Sequence, residues 1–405
     1  MVKTVSTWIF GLLLLVGFCL SIWIIIPAPI FSLLPLSVGA PEISPGLMIF
    51  NGSLLLLGGL RYWLGKSRQP RLFILTLCIS GFALVLSAAP LLQFSSAQQQ
   101  AQQAIESSLG KNYLANISPS SMANMRSHPL VIADIGNGIA STQVRIDRQI
   151  PFDNPDGVPL DLNIYRPLKV GKYPAIVSIY GGAWQRGSPD SDENFNRYIA
   201  AQGYVVWAIS YRHAPAYRFP TQSADVRSAL TYIQKHAKEN ETDLDRVALI
   251  GRSAGSQLAM LAAYQDPPFP IRAVIGYYGP IDLTAGYEHV PAPDPIESRA
   301  TLRKFLGGTP TELPELYRQA SPITAVTGAV TAALPASLLI YGGKDHVVEA
   351  KYGSALAAQL RSQGNKAVFI EIPWADHAFD AVFSGMSNQL ALYYTERFLA
   401  WALIK

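Results

Sequence analysis

Three apolar stretches dominate the first hundred positions. Val5–Ile26 carries no charge and ends at Pro27, roughly Ile43–Leu60 is closed by Arg61-Tyr62-Trp63, and Leu72–Phe94 is again uncharged. Each approaches the ~20 residues that a helix needs to cross a ~30 Å hydrocarbon core. The pattern therefore predicts about three transmembrane helices, at 5–26, 43–63 and 72–94. Asn51 and Ser53 interrupt the second, and neighbouring helices of a bundle can satisfy such groups. The first stretch is longer than a signal-peptide core and two more follow it, which favours an anchor, although Val38-Gly39-Ala40 offers a small-residue cleavage site. Residues 95–129 are expected to form a linker. It begins Gln/Ala/Ser-rich, and Ala101–Leu109 could extend a helix.

From residue 130 the pattern alternates. Gln143–Pro151 and Leu160–Pro167 read as strands around a turn at Asp153-Asn154-Pro155-Asp156-Gly157. Buried strands are predicted at Ala175–Tyr180, Tyr204–Ser210, Arg246–Gly251, Ile271–Tyr278, Ser337–Gly342 and Val368–Ile372. Helices are predicted at Asn194–Gln202, Ser223–Lys238, Ser256–Tyr264, Gly353–Gln363 and Gln389–Leu403. Strands alternating with helices imply a mostly parallel sheet covered on both faces, here with an antiparallel edge from the opening hairpin. A Pro-rich insertion over about 280–334 is expected to form a partial lid on the α/β unit spanning 130–405.

Charge sharpens this division. Residues 1–100 hold Lys3, Arg61, Lys66, Arg68 and Arg71 against one acid, Glu42, which accounts for the whole net charge of +4. The remainder is balanced, so nothing electrostatic suggests nucleic-acid binding. Lys3 precedes the first stretch, and the other four basic residues crowd the region between the second and third. Segment 27–42 has none. Basic segments stay cytoplasmic, so the part after Phe94 is expected on the extracytoplasmic side. The two cysteines, Cys19 and Cys78, both lie in apolar stretches, leaving no disulfide framework or cysteine zinc site beyond them. There is no H-E-x-x-H and no G-x-x-x-x-G-K, and no metal or cofactor is expected.

The chemistry concentrates at four places. Gly251-Arg252-Ser253-Ala254-Gly255 lies between a predicted strand and a predicted helix, the context that gives G-x-S-x-G its meaning. The tight turn lifts the Ser253 hydroxyl clear of the sheet at a helix N-terminus. Tyr180-Gly181-Gly182-Ala183-Trp184 ends a central strand, where glycines let backbone N–H groups approach a substrate carbonyl. Asp345 follows the strand ending at Gly342, and His377 follows the strand ending at Ile372. Serine needs a base to act as a nucleophile. His377 is expected to supply it, with Asp345 holding the imidazole in its tautomer. Asp376 is a fallback acid. His128, His213, His236 and His289 follow no late strand, and His346 would point away from Asp345. Arg252 reads as a solvated charge that could steer an anion.

Together these segments resemble α/β-hydrolase esterases of the hormone-sensitive-lipase and acetyl/feruloyl-esterase type. Ser210-Tyr211-Arg212-His213-Ala214-Pro215, Phe219-Pro220, Gly279-Pro280-Ile281-Asp282-Leu283 and Ala320-Ser321-Pro322 carry the resemblance further, over about 140–405. It implies an α/β-hydrolase fold and a Ser253–Asp345–His377 triad. It also implies an oxyanion hole from the backbone N–H groups of Gly182, Ala183 and Ala254. Tyr180 stands where the family usually has His, and Ser256 where it often has Gly. A pocket is expected around Tyr180, Gly181, Trp184, Tyr211 and Tyr278, with Trp374 as a further aromatic. The implied activity is cleavage of a small-molecule carboxylic ester through an acyl-enzyme. The N-terminal helices, which lie outside the resemblance, are expected to hold the protein to the lipid bilayer. A serine peptidase or amidase using the same triad is the alternative, and a non-catalytic membrane-tethered binding protein a more distant one.

Overall fold

A computed structural model describes residues 2–64, 70–140, 143–265, 267–328 and 333–404. Lys66 and Arg68, which contribute to the orientation expected from charge, lie outside them. The chain opens with α1 (Val2–Ile22), α2 (Leu34–Glu42), α3 (Ser44–Trp63) and α4 (Pro70–Leu109). The segment Phe31–Glu42 meets α3 at 78°. Pro41 lies inside α2 and Pro45 in the first turn of α3, and neither ring nitrogen can donate to a continuing helix.

Helices α1, α3 and α4 pack on one another around a buried polar clasp. The Asn51 amide donates to Ser21 Oγ at 2.8 Å and to Ser87 Oγ at 3.3 Å. The expectation that Asn51 bonds to neighbouring helices is met, whereas Ser53 bonds back to Ile49 O of its own helix. The outward faces are apolar: Trp8, Leu56 and Val85 are 77%, 76% and 66% exposed. Of the three spans expected, one described helix, Phe73–Leu109, is long and apolar enough to cross a membrane. The bent pair Phe31–Glu42 and Ser44–Trp63 passes the same test only when taken together, and the apolar part of α1, Trp8–Ile22, is shorter. The second stretch is thus a continuous helix preceded by a sharp bend at Ile43.

The presumed linker also differs from a plain connector. Helix α4 runs 40 residues and continues through 95–109, because Gln, Ala and Ser contain no helix breaker. Its buried positions Phe94, Ala97, Ala101 and Ile105 recur every three or four residues. That spacing lays one stripe against the sheet and helices that follow. Ser108 Oγ donates to Ala367 O at 2.7 Å. Short helices α5 (Pro119–Ala123) and α6 (Ile132–Asn137) lead to the sheet.

Among the described residues the sheet has eight strands: β1 (Arg145–Asp153), β2 (Leu160–Arg166), β3 (Tyr173–Ile179), β4 (Val205–Ile209), β5 (Thr242–Arg252), β6 (Ala273–Tyr277), β7 (Ala336–Gly342) and β8 (Ala367–Ile372). Their order is β1-β2-β4-β3-β5-β6-β7-β8. β2 runs antiparallel to both β1 and β4, and all other pairs are parallel. The Val/Ile-rich strands β4 and β6 are buried along their whole length, as expected of strands covered on both faces. The covering helices include α7 (Glu193–Ala201), α8 (Thr221–His236) and α9 (Ala254–Tyr264). The insertion carries α10 (Leu283–Glu288), α11 (Ser298–Leu306), α12 (Pro314–Ala320) and α13 (Pro322–Gly328). Helices α14 (Ala350–Ser362) and α15 (Met386–Leu403) complete the layers. The mostly parallel sheet with an antiparallel edge matches the fold class read from the alternation.

Candidate active site

The G-x-S-x-G segment joins β5 to α9, and Ser253 occupies the turn with φ 50° and ψ −121°. A side chain with positive φ is strained, and this turn persists because its surroundings leave no alternative. A Cβ on Gly255 would overlap Ile179 O and Tyr180 O, and one on Gly251 would overlap Gly255 O. The Ser253 N–H is held by Tyr277 O at 2.9 Å. Parallel pairing sets Gly251 beside Ile179 on one side and Gly276 on the other, so the serine emerges at the C-terminal edge of the sheet between β3 and β6.

The loops after β7 and β8 deliver the other two groups. His377 Nε2 lies 3.0 Å from Ser253 Oγ, and His377 Nδ1 lies 2.8 Å from Asp345 Oδ2. The other Asp345 oxygen accepts the N–H groups of Val347 and Val348 at 2.8 and 2.7 Å, which fixes the carboxylate. Asp376 is turned elsewhere. Its Oδ1 accepts the His377 backbone N–H at 2.7 Å and faces His346 Nδ1 at 3.7 Å. Burial of His377 works against its charged form, but the Asp345 carboxylate outweighs that effect and raises the imidazole above its ordinary range. The Tyr278 ring meets the imidazole edge-on at 4.7 Å.

The Gly-rich loop after β3 lies directly against this turn. Gly181 has no room for a Cβ because Arg252 O and Ser253 Cβ stand there. Gly182, Ala183 and Trp184 have φ of 126°, 55° and 58° in succession. The N–H groups of Gly182, Ala183 and Ala254 find no acceptor among the described residues. Unbonded backbone donors of this kind are what a developing negative charge would need. Trp184 pins the loop: its indole N–H donates to Gln257 Oε1 at 2.9 Å and its ring stacks on Phe305 at 4.1 Å.

A cavity of about 690 Å³ opens onto Ser253 and His377. Gly181 and Tyr278 line it, as expected. Tyr180, Trp184 and Tyr211 pack beneath it instead, with Tyr180 stacked on Tyr211 at 4.5 Å, and Trp374 is fully buried. Apolar strand ends supply such aromatics as readily to the core as to a pocket. From the insertion, Ile296 alone of the described residues reaches the cavity.

Two contributions to the lining were missed from sequence. Arg252 is not a solvated charge. It is 5% exposed, its Nε donates to Asp380, and its Nη1 lies 3.4 Å from Asp192 Oδ2. Asp380 in turn accepts from the Tyr278 hydroxyl. The position of Asp380 three residues after His377 was the available signal. The second contribution is Phe31 and Leu34, from the segment between α1 and α3, for which the sequence offers no chemical motif.

A family model described as BD-FAE matches residues 162–360. Among curated proteins, the chain is 30% identical over 244 residues to the probable carboxylic ester hydrolase LipM of Mycobacterium tuberculosis, covering 57% of this chain and 54% of that one. It is 31% identical over 241 residues to the esterase LipC of the same organism, covering 54% and 57%. The chain thus spans little more than half the length of these relatives. Among solved structures, a hyperthermophilic esterase from the archaeon Pyrobaculum calidifontis superposes with a TM-score of 0.56 at 22% identity, covering 75% of this chain and 96% of that one. Strand order, the strained serine turn between β5 and α9 and this superposition place the segment from β1 to α15 on the α/β-hydrolase fold.

Proposed function

We propose that this protein is a carboxylic-ester hydrolase acting through an acyl-enzyme. The observation that carries the reading is the continuous chain from Ser253 Oγ through His377 to Asp345, at 3.0 and 2.8 Å. Beside it stand three backbone N–H groups that no protein atom occupies. Ser253 Oγ attacks the ester carbonyl while His377 Nε2 takes its proton. The carbonyl oxygen becomes an oxyanion facing the N–H groups of Gly182, Ala183 and Ala254. His377 returns the proton to the departing alcohol, leaving Ser253 acylated. Water, deprotonated by His377, then releases the acid and restores the serine. Asp345 holds Nδ1–H and stabilises the imidazolium at both stages. The esterase names of the relatives support the same reading.

The unit comprises residues 130–405, fastened to a bilayer by α1, α3 and α4 as three spans. Arg61 and Arg71 stand at the end of this bundle away from the hydrolase unit. By the tendency of basic residues to stay cytoplasmic, they support a cytoplasmic position for that end and an extracytoplasmic one for the catalytic unit. The test is hydrolysis of p-nitrophenyl acetate and butyrate by the full chain in detergent, wild type beside Ser253→Ala. The variant is expected to lose at least about 10³-fold in kcat. Equal activity in both would overturn the assignment of the nucleophile. A folded wild type with no activity, and no fluorophosphonate adduct on Ser253, would overturn the function.

A further inference from the structure

We infer that the segment joining α1 to α3 is a wall of the reaction cavity, and that its Phe31 and Leu34 select esters with an apolar chain. The inference rests on the ester-hydrolase reading above and names the substrate class for that same site. Phe31 and Leu34 line the cavity that holds Ser253 and His377, although more than 200 residues separate them from either.

The segment is built in rather than draped over the opening. Lys344, the neighbour of Asp345, donates from Nζ to Ile24 O at 2.7 Å. The Ser387 N–H donates to Glu42 Oε2 at 2.8 Å, and Glu42 is itself fully buried. Ser44 Oγ approaches Met386 Sδ at 3.2 Å. Both ends of the segment are thereby tied to the polypeptide that carries Asp345 and His377. Gly385 leaves the space that Glu42 fills, since a Cβ there would overlap the carboxylate.

The position and surface of Phe31 indicate what the wall receives. The Arg186 guanidinium lies 4.3 Å over one face of its ring, yet Phe31 stays 47% exposed. An aromatic ring fixed on one face and open on the other at a cavity wall offers apolar surface to an occupant. Leu34, Ile296, Val347 and Phe383 add apolar lining, while Asp190, Asp192, Glu193 and Arg252 make other parts of the cavity charged. The cavity therefore suits an amphiphilic ester, with its chain on the apolar lining and its polar part on the charged one.

The experiment compares kcat/KM of the full chain on p-nitrophenyl octanoate and acetate for wild type, Phe31→Ala, Leu34→Ala, Phe31→Leu and the control Leu92→Ala on the outer face of α4. The octanoate-to-acetate ratio is expected to fall about tenfold in each alanine variant, roughly the effect of losing two buried methylenes. Phe31→Leu restores most of it, and Leu92→Ala leaves it at the wild-type value. Parallel loss on both esters, or an unchanged ratio, would show that the segment has only a structural role and overturn the inference. If wild type hydrolyses neither ester, the function fails while the wall is still tested. Long-chain fluorophosphonates would then label Ser253 faster than short ones in wild type but not in Phe31→Ala. Labelling without chain preference, or no labelling, overturns the wall as well.

Discussion

At the residue scale, the arrangement assigns Asp345 and Asp376 different tasks although both lie within reach of His377. Asp345 accepts from the imidazole Nδ1, whereas Asp376 accepts from the backbone N–H. Hydrolysis requires neutral His377, and its acidity is weakened by the neighbouring carboxylate. The kcat/KM profile is therefore expected to rise with pH through a midpoint above the ordinary imidazole value. Asp345→Asn removes the interaction that raises this midpoint and leaves the opposing effect of burial. The rising limb moves to lower pH, and the plateau falls by about 10³- to 10⁴-fold. Asp376→Asn, which removes a neighbouring charge but keeps an oxygen to accept the His377 backbone N–H and leaves the Asp345–Nδ1 contact intact, moves the limb slightly and keeps the rate within about tenfold. pH–rate profiles of the two variants decide between the acids, and the opposite ranking would make Asp376 the orienting group.

At the element scale, the β5–α9 turn depends on close backbone approach, so its glycines act through space rather than flexibility alone. Gly255 does not have positive φ, yet its α-hydrogen faces the carbonyls of Ile179 and Tyr180. Gly255→Ala must push β3 away from α9. A stability loss of about 3 kcal/mol is expected, read as a Tm fall of about 6–12 °C, together with loss of hydrolysis. A Tm within about 2 °C of wild type would show that the strands yield more easily than this packing allows. The N-terminal helices have their own constraint in the Asn51–Ser21–Ser87 clasp. Asn51→Leu is expected to cost about 1 kcal/mol of bundle stability in detergent. Crowding adds to the loss, because Gly17 packs against Asn51 Oδ1.

At the scale of the whole molecule, two units share one core. One face of the last fifteen residues of α4 belongs to the core beneath the sheet, and Phe31 and Leu34 of the α1–α3 segment line the cavity. Separating the units at residue 130 would strip Ala97, Ala101 and Ile105 from the core they help to fill and expose the surface they cover to water. The orientation is testable on the intact chain. In sealed vesicles, protease acting from the cytoplasmic side is expected to leave a C-terminal epitope on Lys405 intact, and protease from the opposite side to remove it. The reverse pattern would place the hydrolase unit in the cytoplasm.

Much of this was legible along the chain because it rests on local rules. Outside the insertion, strand and helix positions from β1 to α15 follow from apolar runs of strand length, helical periodicity and Gly/Pro punctuation, whereas the short helices α10–α13 of the Pro-rich insertion were not read. Ser253, Asp345 and His377 stood out because each follows the end of a strand, and a parallel sheet collects its strand ends at one edge. Properties that depend on distant contacts were not legible. Arg252 looks like any charged loop residue until Asp192 and Asp380 close around it. Tyr211 and Trp184 look like pocket aromatics until the stacking of Tyr180 and Phe305 draws them into the core. Phe31 and Leu34 fall between two expected spans, in a segment to which the sequence assigns no task. Contacts through Ile24, Glu42 and Ser44 carry them to the site, and those contacts exist only after residues some 340 positions apart have been brought together.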